Sequence, residues 1–110
     1  MHCTVIYFNE HVKREVFALP TGIRADYLRL VDMLQKHGVD LRMPYSRAIG
    51  GGLFELRPKG REGIGRVFYC MQTGKRIVVL HSFVKKTQHT PLAQWRIARR
   101  RQAEVTAADD

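Results

Sequence analysis

The stretch Gly65–Lys86, "GRVFYCMQTGKRIVVLHSFVKK", decides how this chain folds. Two largely apolar runs, Val67–Met71 and Ile77–Val84, flank the quartet Gln72–Lys75. β-Branched and aromatic side chains suit a pleated sheet, and a glycine in a short polar break supplies the left-handed backbone that a tight reversal needs. The pair reads as an antiparallel hairpin. Its second arm runs into Lys85 and Lys86, and then into the polar tail "TQHTP", Thr87–Pro91, which carries His89.

Upstream, "GLFELRPKG", Gly52–Gly60, alternates. Phe54 and Leu56 point one way, Glu55, Arg57 and Lys59 the other, as a strand requires. The short break before Arg66 makes this strand and the hairpin an antiparallel meander. "MPYSRAIGGG", Met43–Gly52, reads as a linker or short strand with a bulged, glycine-rich exit, since no phosphate-loop signature follows Gly50–Gly52. "HCTVIYFN", His2–Asn9, reads as a first strand. It is apolar on both faces and is therefore expected at the centre of the sheet.

Between these lie two helical patterns. Val12, Val16 and Leu19 recur at helical spacing behind the N-cap Asn9, and Pro20 stops the run. Ile23, Tyr27, Leu30, Val31 and Leu34 then form one stripe that ends at Gly38. The two helices, joined through Leu19–Gly22, are expected to form an antiparallel hairpin over one face of the sheet. Pro91 opens a last helix, with Leu92, Trp95 and Ile97 read as inward and Arg96, Arg99, Arg100 and Arg101 as outward. The expected order is β-α-α-β-β-β-α. The fold class is α+β, with a single domain over residues 1–105 and a frayed tail over 106–110.

The chain of 110 residues is long enough for one core, and 45% of it is hydrophobic. No apolar run approaches the ~18 residues that span a bilayer, and the N-terminus has neither a basic nor a long apolar region of a signal peptide. Cys3 and Cys70 sit in apolar runs, as buried free thiols do, so a reducing cytoplasm is expected and no membrane. No His or Cys spacing suggests a metal, and no cofactor motif is present. Nineteen Lys and Arg against ten Asp and Glu leave a net charge of +9. A polyanion, nucleic acid first, is the partner that such a charge implies.

The meander concentrates that charge. The hairpin brings Arg66 beside Lys85 and Lys86, and the preceding strand brings Arg57 and Lys59 to the same end. Taken alone, the lysine pair reads as a solvated strand end. Convergence from three segments favours an anion site, because like charges packed together repel unless an anion joins them. The simplest ribonucleases fit: the substrate's own 2′-OH attacks, a base takes its proton, an acid protonates the leaving oxygen, and cations stabilise the phosphorane. Arginine stays charged and matches phosphate oxygens. A crowded lysine loses its proton more readily, and histidine titrates near neutrality. His81, inside an apolar strand, reads as a core histidine, and Glu55 as the partner of a neighbouring cation.

The segments "LFELR", "GRVFYCM" and "LHSFVKKTQHTP", followed by an arginine-rich helix, resemble the RelE/HigB superfamily of type II toxin–antitoxin toxins, specifically the phage-derived HigB-like group. The resemblance covers nearly the whole chain. It implies a RelE-like fold, with an N-terminal strand and helical hairpin on a twisted antiparallel sheet and a C-terminal helix. It also implies an endoribonuclease that cuts mRNA during translation on the ribosome, restrained by an antitoxin that often carries a helix-turn-helix domain. Arg57, Arg66, Lys85 and Lys86 are the family's functional cations by position, with Lys59 and His89 as further candidates. Arg47, Arg61, Arg96, Arg99 and Arg100 are then expected to hold RNA. Arginine cannot act as the base, which leaves that role to Lys59, a terminal lysine or His89. His89 is the nearest match to the tyrosine or histidine that family members place before the last helix. Two alternatives keep the same cations without the chemistry: a toxin of this fold that poisons DNA gyrase, and a non-catalytic nucleic-acid-binding regulator.

Overall fold

The computed structural model describes residues 2–86 and 90–109. Strand β1 (Thr4–Tyr7) leads into helices α1 (Glu10–Phe17) and α2 (Thr21–His37), and a 3₁₀ turn follows at Gly38–Asp40. Strands β2 (Ser46–Gly50), β3 (Leu53–Leu56), β4 (Lys59–Gly60), β5 (Gly63–Gln72) and β6 (Arg76–Lys85) come next, and helix α3 (Leu92–Ala108) closes the chain. The class is α+β, as expected. The six strands form one sheet in the order β1-β6-β5-β3-β2, with β4 added on β5.

The decisive hairpin is present. β5 and β6 pair antiparallel around a turn in which Gly74 (φ 83°) and Lys75 (φ 60°) adopt left-handed backbone. β3 pairs antiparallel with β5, and β2 with β3. The β2–β3 connection is a bulged glycine turn, with a register shift between Ala48 and Gly50.

Two expectations about the sheet are corrected. It is mixed rather than wholly antiparallel, because β1 runs parallel to β6, with Thr4 opposite Arg76 and Tyr7 opposite Val79. β1 is followed by helices instead of a tight turn, so no hairpin imposes its direction. β1 also lies at the edge, with Thr4 and Ile6 exposed, not at the centre. The segments β2 and β4 are additions to the expected order.

Helices α1 and α2 cover one face. The Asn9 side chain accepts from Val12 N at 2.8 Å and starts α1. Val12, Val16, Ile23, Tyr27, Leu30 and Leu34 pack with Leu56, Val67, Tyr69, Ile77 and Val79 of the sheet. Strand β4 crosses the start of α2 at Gly60. A Cβ there would stand 2.6 Å from both Gly22 C and Ile23 N, so glycine is what permits the approach. Asp26 Oδ2 accepts from Lys59 N at 2.8 Å and Glu62 Oε2 from Gly22 N at 2.9 Å, fastening this crossing.

Helix α3 lies on the other face, and its packing differs from the expected one. Ala98 is its only buried residue among those described, set against Leu53, Phe68, Cys70, Val78 and Leu80. Leu92 and Trp95, expected inward, are 57% and 37% exposed. A small side chain lets the helix approach closely, and polar clamps then hold it. Arg99 donates to Gly50 O at 2.9 Å, Gln102 to Gly51 O at 2.8 Å and Arg101 to Leu80 O at 2.7 Å. The half-buried His81 pairs with Gln94 of the same helix. The helix runs on through Ala108, and Asp109 Oδ2 accepts from Thr73 N and Oγ1, so residues 106–108 are helical where fraying was expected. Cys3 and Cys70 are buried free thiols, and no described helix is long and apolar enough to cross a membrane.

Candidate anion site

The alternation of the strands places the cations. On β5, Arg66 lies on the same side as Phe68 and Cys70, the side that meets α3. Across the sheet, Arg66 is opposite Phe83 and Ile64 is opposite Lys85, so Phe83 and Lys85 share that side. On β3, Glu55 is opposite Phe68 and, on its other flank, opposite Arg47 of β2. Helix α3 packs against Leu53, Cys70, Val78 and Leu80. Arg47, Glu55, Arg57, Arg66 and Lys85 come together farther along the sheet.

Glu55 is the centre of this group. Its side chain is 2% exposed, and Oε1 accepts from Arg57 Nη1 at 2.9 Å. Arg66 Nε stands 3.4 Å from the same oxygen, with its side chain 4% exposed. Arg66 Nη1 donates to Gly65 O at 2.8 Å, whereas Arg66 Nε is a buried donor with no hydrogen-bond partner. Burial, then repulsion by Arg57 and Arg47 against attraction by Glu55, lowers the proton affinity of Arg66 from the ordinary arginine value. It remains a cation. Lys85 is likewise held below the ordinary lysine value, first by desolvation and then by Arg66, Arg57 and Arg47, with Glu55 opposing. Arg57 and Arg47 thus disfavour the charge of Arg66, and all three arginines disfavour that of Lys85, with Glu55 opposing in both cases. The excess positive charge is what a phosphate group relieves.

Arg57 and Arg66 also line a cleft of about 430 Å³ that α2 borders. Lys59, Arg29, Asp26, Tyr45 and Ile64 line it too. Asp26 holds Arg29 through Nε at 2.9 Å and Nη2 at 2.8 Å, and the Arg29 guanidinium lies 5.7 Å from the Tyr45 ring centroid.

Residues 14–103 match the family described as "Phage derived protein Gp49-like (DUF891)". The chain belongs to this family. Gp49-like proteins are RelE/HigB-type toxin-like proteins. No curated protein gives a significant match. The matched segment of this Gp49-like chain contains every member of the cluster, Arg47, Glu55, Arg57, Arg66 and Lys85.

Of the residues singled out in the Gp49-like sequence, Arg57, Arg66, Lys85 and Arg47 converge. Lys59 is exposed on β4 and faces the adjoining cleft. Lys86 is exposed one residue past β6, and Arg61 is exposed between β4 and β5. Arg96, Arg99 and Arg100 are exposed along α3, with Arg99 committed to the Gly50 carbonyl. His89 lies outside the described residues. Sequence reasoning gave Glu55 a cationic partner but not its central place. It missed Arg29, Asp26 and Tyr45, which reach the cleft from α2 and from the segment before β2. The Asp26–Arg29 spacing of three residues was the one local sign of a fixed guanidinium.

Proposed function

We propose that this Gp49-like protein is the toxin of a type II toxin–antitoxin system, a HigB-like member with a RelE-like fold that cleaves translated mRNA on the ribosome. The observation that carries this reading is the gathering of Arg47, Arg57, Arg66 and Lys85 about the buried Glu55. A phosphodiester is the anion whose chemistry uses such a site most fully. Arg57 and Arg66 take the non-bridging oxygens and stabilise charge as the phosphorane forms. Lys85, its ammonium disfavoured by burial and by Arg66, accepts the 2′-OH proton. The 2′-oxygen attacks phosphorus, the bond to the 5′-oxygen breaks, and that oxygen takes a proton from a general acid, the role assigned to His89. The products are a 2′,3′-cyclic phosphate and a free 5′-OH. Lys59, Lys86, Arg61, Arg96, Arg99 and Arg100 hold the surrounding RNA. The protein partner is a cognate antitoxin with a helix-turn-helix domain.

Induced expression tests this reading. The wild type arrests growth without a DNA-damage response, and Arg66→Ala abolishes the arrest. Arrest with a damage response and intact messages would contradict it, and so would full toxicity of Arg66→Ala.

A further inference from the structure

The cleft on the α2 side of Arg57 and Arg66 has a composition that phosphate binding alone does not require. Its cationic wall continues into Tyr45 and the flat guanidinium of Arg29. Met43 and Ile64, also lining it, are 58% and 43% exposed. Arg29 is 56% exposed, but Asp26 holds it through two nitrogens and Asp26 also accepts from Lys59 N, which favours the guanidinium position beside Tyr45. Aromatic rings and arginine planes are the surfaces on which unstacked bases settle, beside cations that track the backbone. The volume of about 430 Å³ lies within the range of pockets that take small ligands.

We propose that this cleft receives one nucleobase of the RNA, stacked against the Tyr45–Arg29 wall, while Arg57 and Arg66 hold the adjoining phosphate. The inference rests on reading the arginine cluster as an RNA-phosphate site and adds where the base goes. Because Arg57 and Arg66 belong to both the cluster and the cleft wall, a single nucleotide spans the two. Tyr45 then becomes a determinant of which nucleotide lies next to the scissile bond.

Calorimetric titration of the purified full chain tests this with ribose 5-phosphate, the four ribonucleoside 5′-monophosphates and an oligoglutamate peptide. At least one nucleotide is expected to bind about tenfold more tightly than ribose 5-phosphate. Tyr45→Ala removes that advantage and keeps ribose 5-phosphate binding, which also reports that the variant is folded. Tyr45→Phe retains the advantage. Undetectable nucleotide binding, equal affinity for nucleotides and ribose 5-phosphate, or an advantage that survives Tyr45→Ala overturns the proposal. So does a peptide that binds more tightly than any nucleotide and depends on Tyr45, which would make the cleft a protein-docking site. The nuclease reading fails separately: base-dependent binding without cleavage of translated message removes the catalysis and leaves the cleft assignment standing.

Discussion

Arg66 Nε stands 3.4 Å from Glu55 Oε1, with both side chains almost wholly out of water. A buried guanidinium needs a counter-charge, and Glu55 supplies it to Arg66 while also accepting from Arg57. The cluster is therefore a partly neutralised cation group whose remaining positive charge faces outward.

Glu55→Gln separates these roles. It keeps an acceptor for Arg57 but leaves Arg66 buried without a counter-charge, and stability is expected to fall by about 3–5 kcal/mol. Affinity for inorganic phosphate is expected to rise, since the site becomes more positive. Urea denaturation and phosphate titration of the same protein check both signs. An unchanged denaturation midpoint would show that Glu55 is not the counter-ion.

The pH dependence of cleavage should report Lys85. Its ammonium is disfavoured by burial and then by Arg66, Arg57 and Arg47, so the rate is expected to rise with pH as Lys85 deprotonates, below the ordinary lysine value. Arg47→Ala removes one repelling charge and is expected to move this rise to higher pH. Single-turnover rates across pH measure it. A rise that persists unchanged in Lys85→Met excludes Lys85 as the base.

Gly60 is the tightest point of the frame that carries Lys59. Gly60→Ala sets a methyl group 2.6 Å from the backbone of α2, and overpacking of this kind costs about 1–3 kcal/mol. Thermal unfolding is expected to show the loss, together with slower cleavage because β4 and Lys59 shift.

On α3 the contrast between Ala98 and Trp95 is measurable. Ala98→Leu adds bulk where the helix meets Phe68 and Leu80, and is expected to destabilise by about 1–3 kcal/mol. Trp95→Ala, at a side chain 37% exposed, is expected to cost less. Equal costs would mean that the helix is anchored by Trp95 instead.

Much of this architecture was legible in the sequence because the signals were local. Residues 65–86 carry their own turn and their own alternation, so the meeting of Arg66 and Lys85 at one end of the hairpin was legible, but the register shift at Phe68–Tyr69 that puts both on one face was not. Asn9 and the Ile23–Leu34 stripe were legible for the same reason. The parallel pairing of β1 was not, since nothing in Thr4–Tyr7 names a partner strand more than seventy residues away. Nor was the seating of α3: its anchor is an alanine, which gives hydropathy no signal, while the more apolar Leu92 and Trp95 face out. The cationic partner of Glu55 was legible, but alternation predicts a face and not that both Arg57 and Arg66 would converge on its buried carboxylate. Tyr45 and Arg29 were invisible as a pair because tertiary contact alone brings them together.

The central claim is that this cation cluster cuts RNA, and mapping cut ends in a reconstituted translation reaction tests it most directly. The account predicts breaks within the translated message, bearing 2′,3′-cyclic phosphate and 5′-OH ends, absent without ribosomes and absent with Arg66→Ala. An intact message with the wild type, or the same breaks with Arg66→Ala, would contradict it.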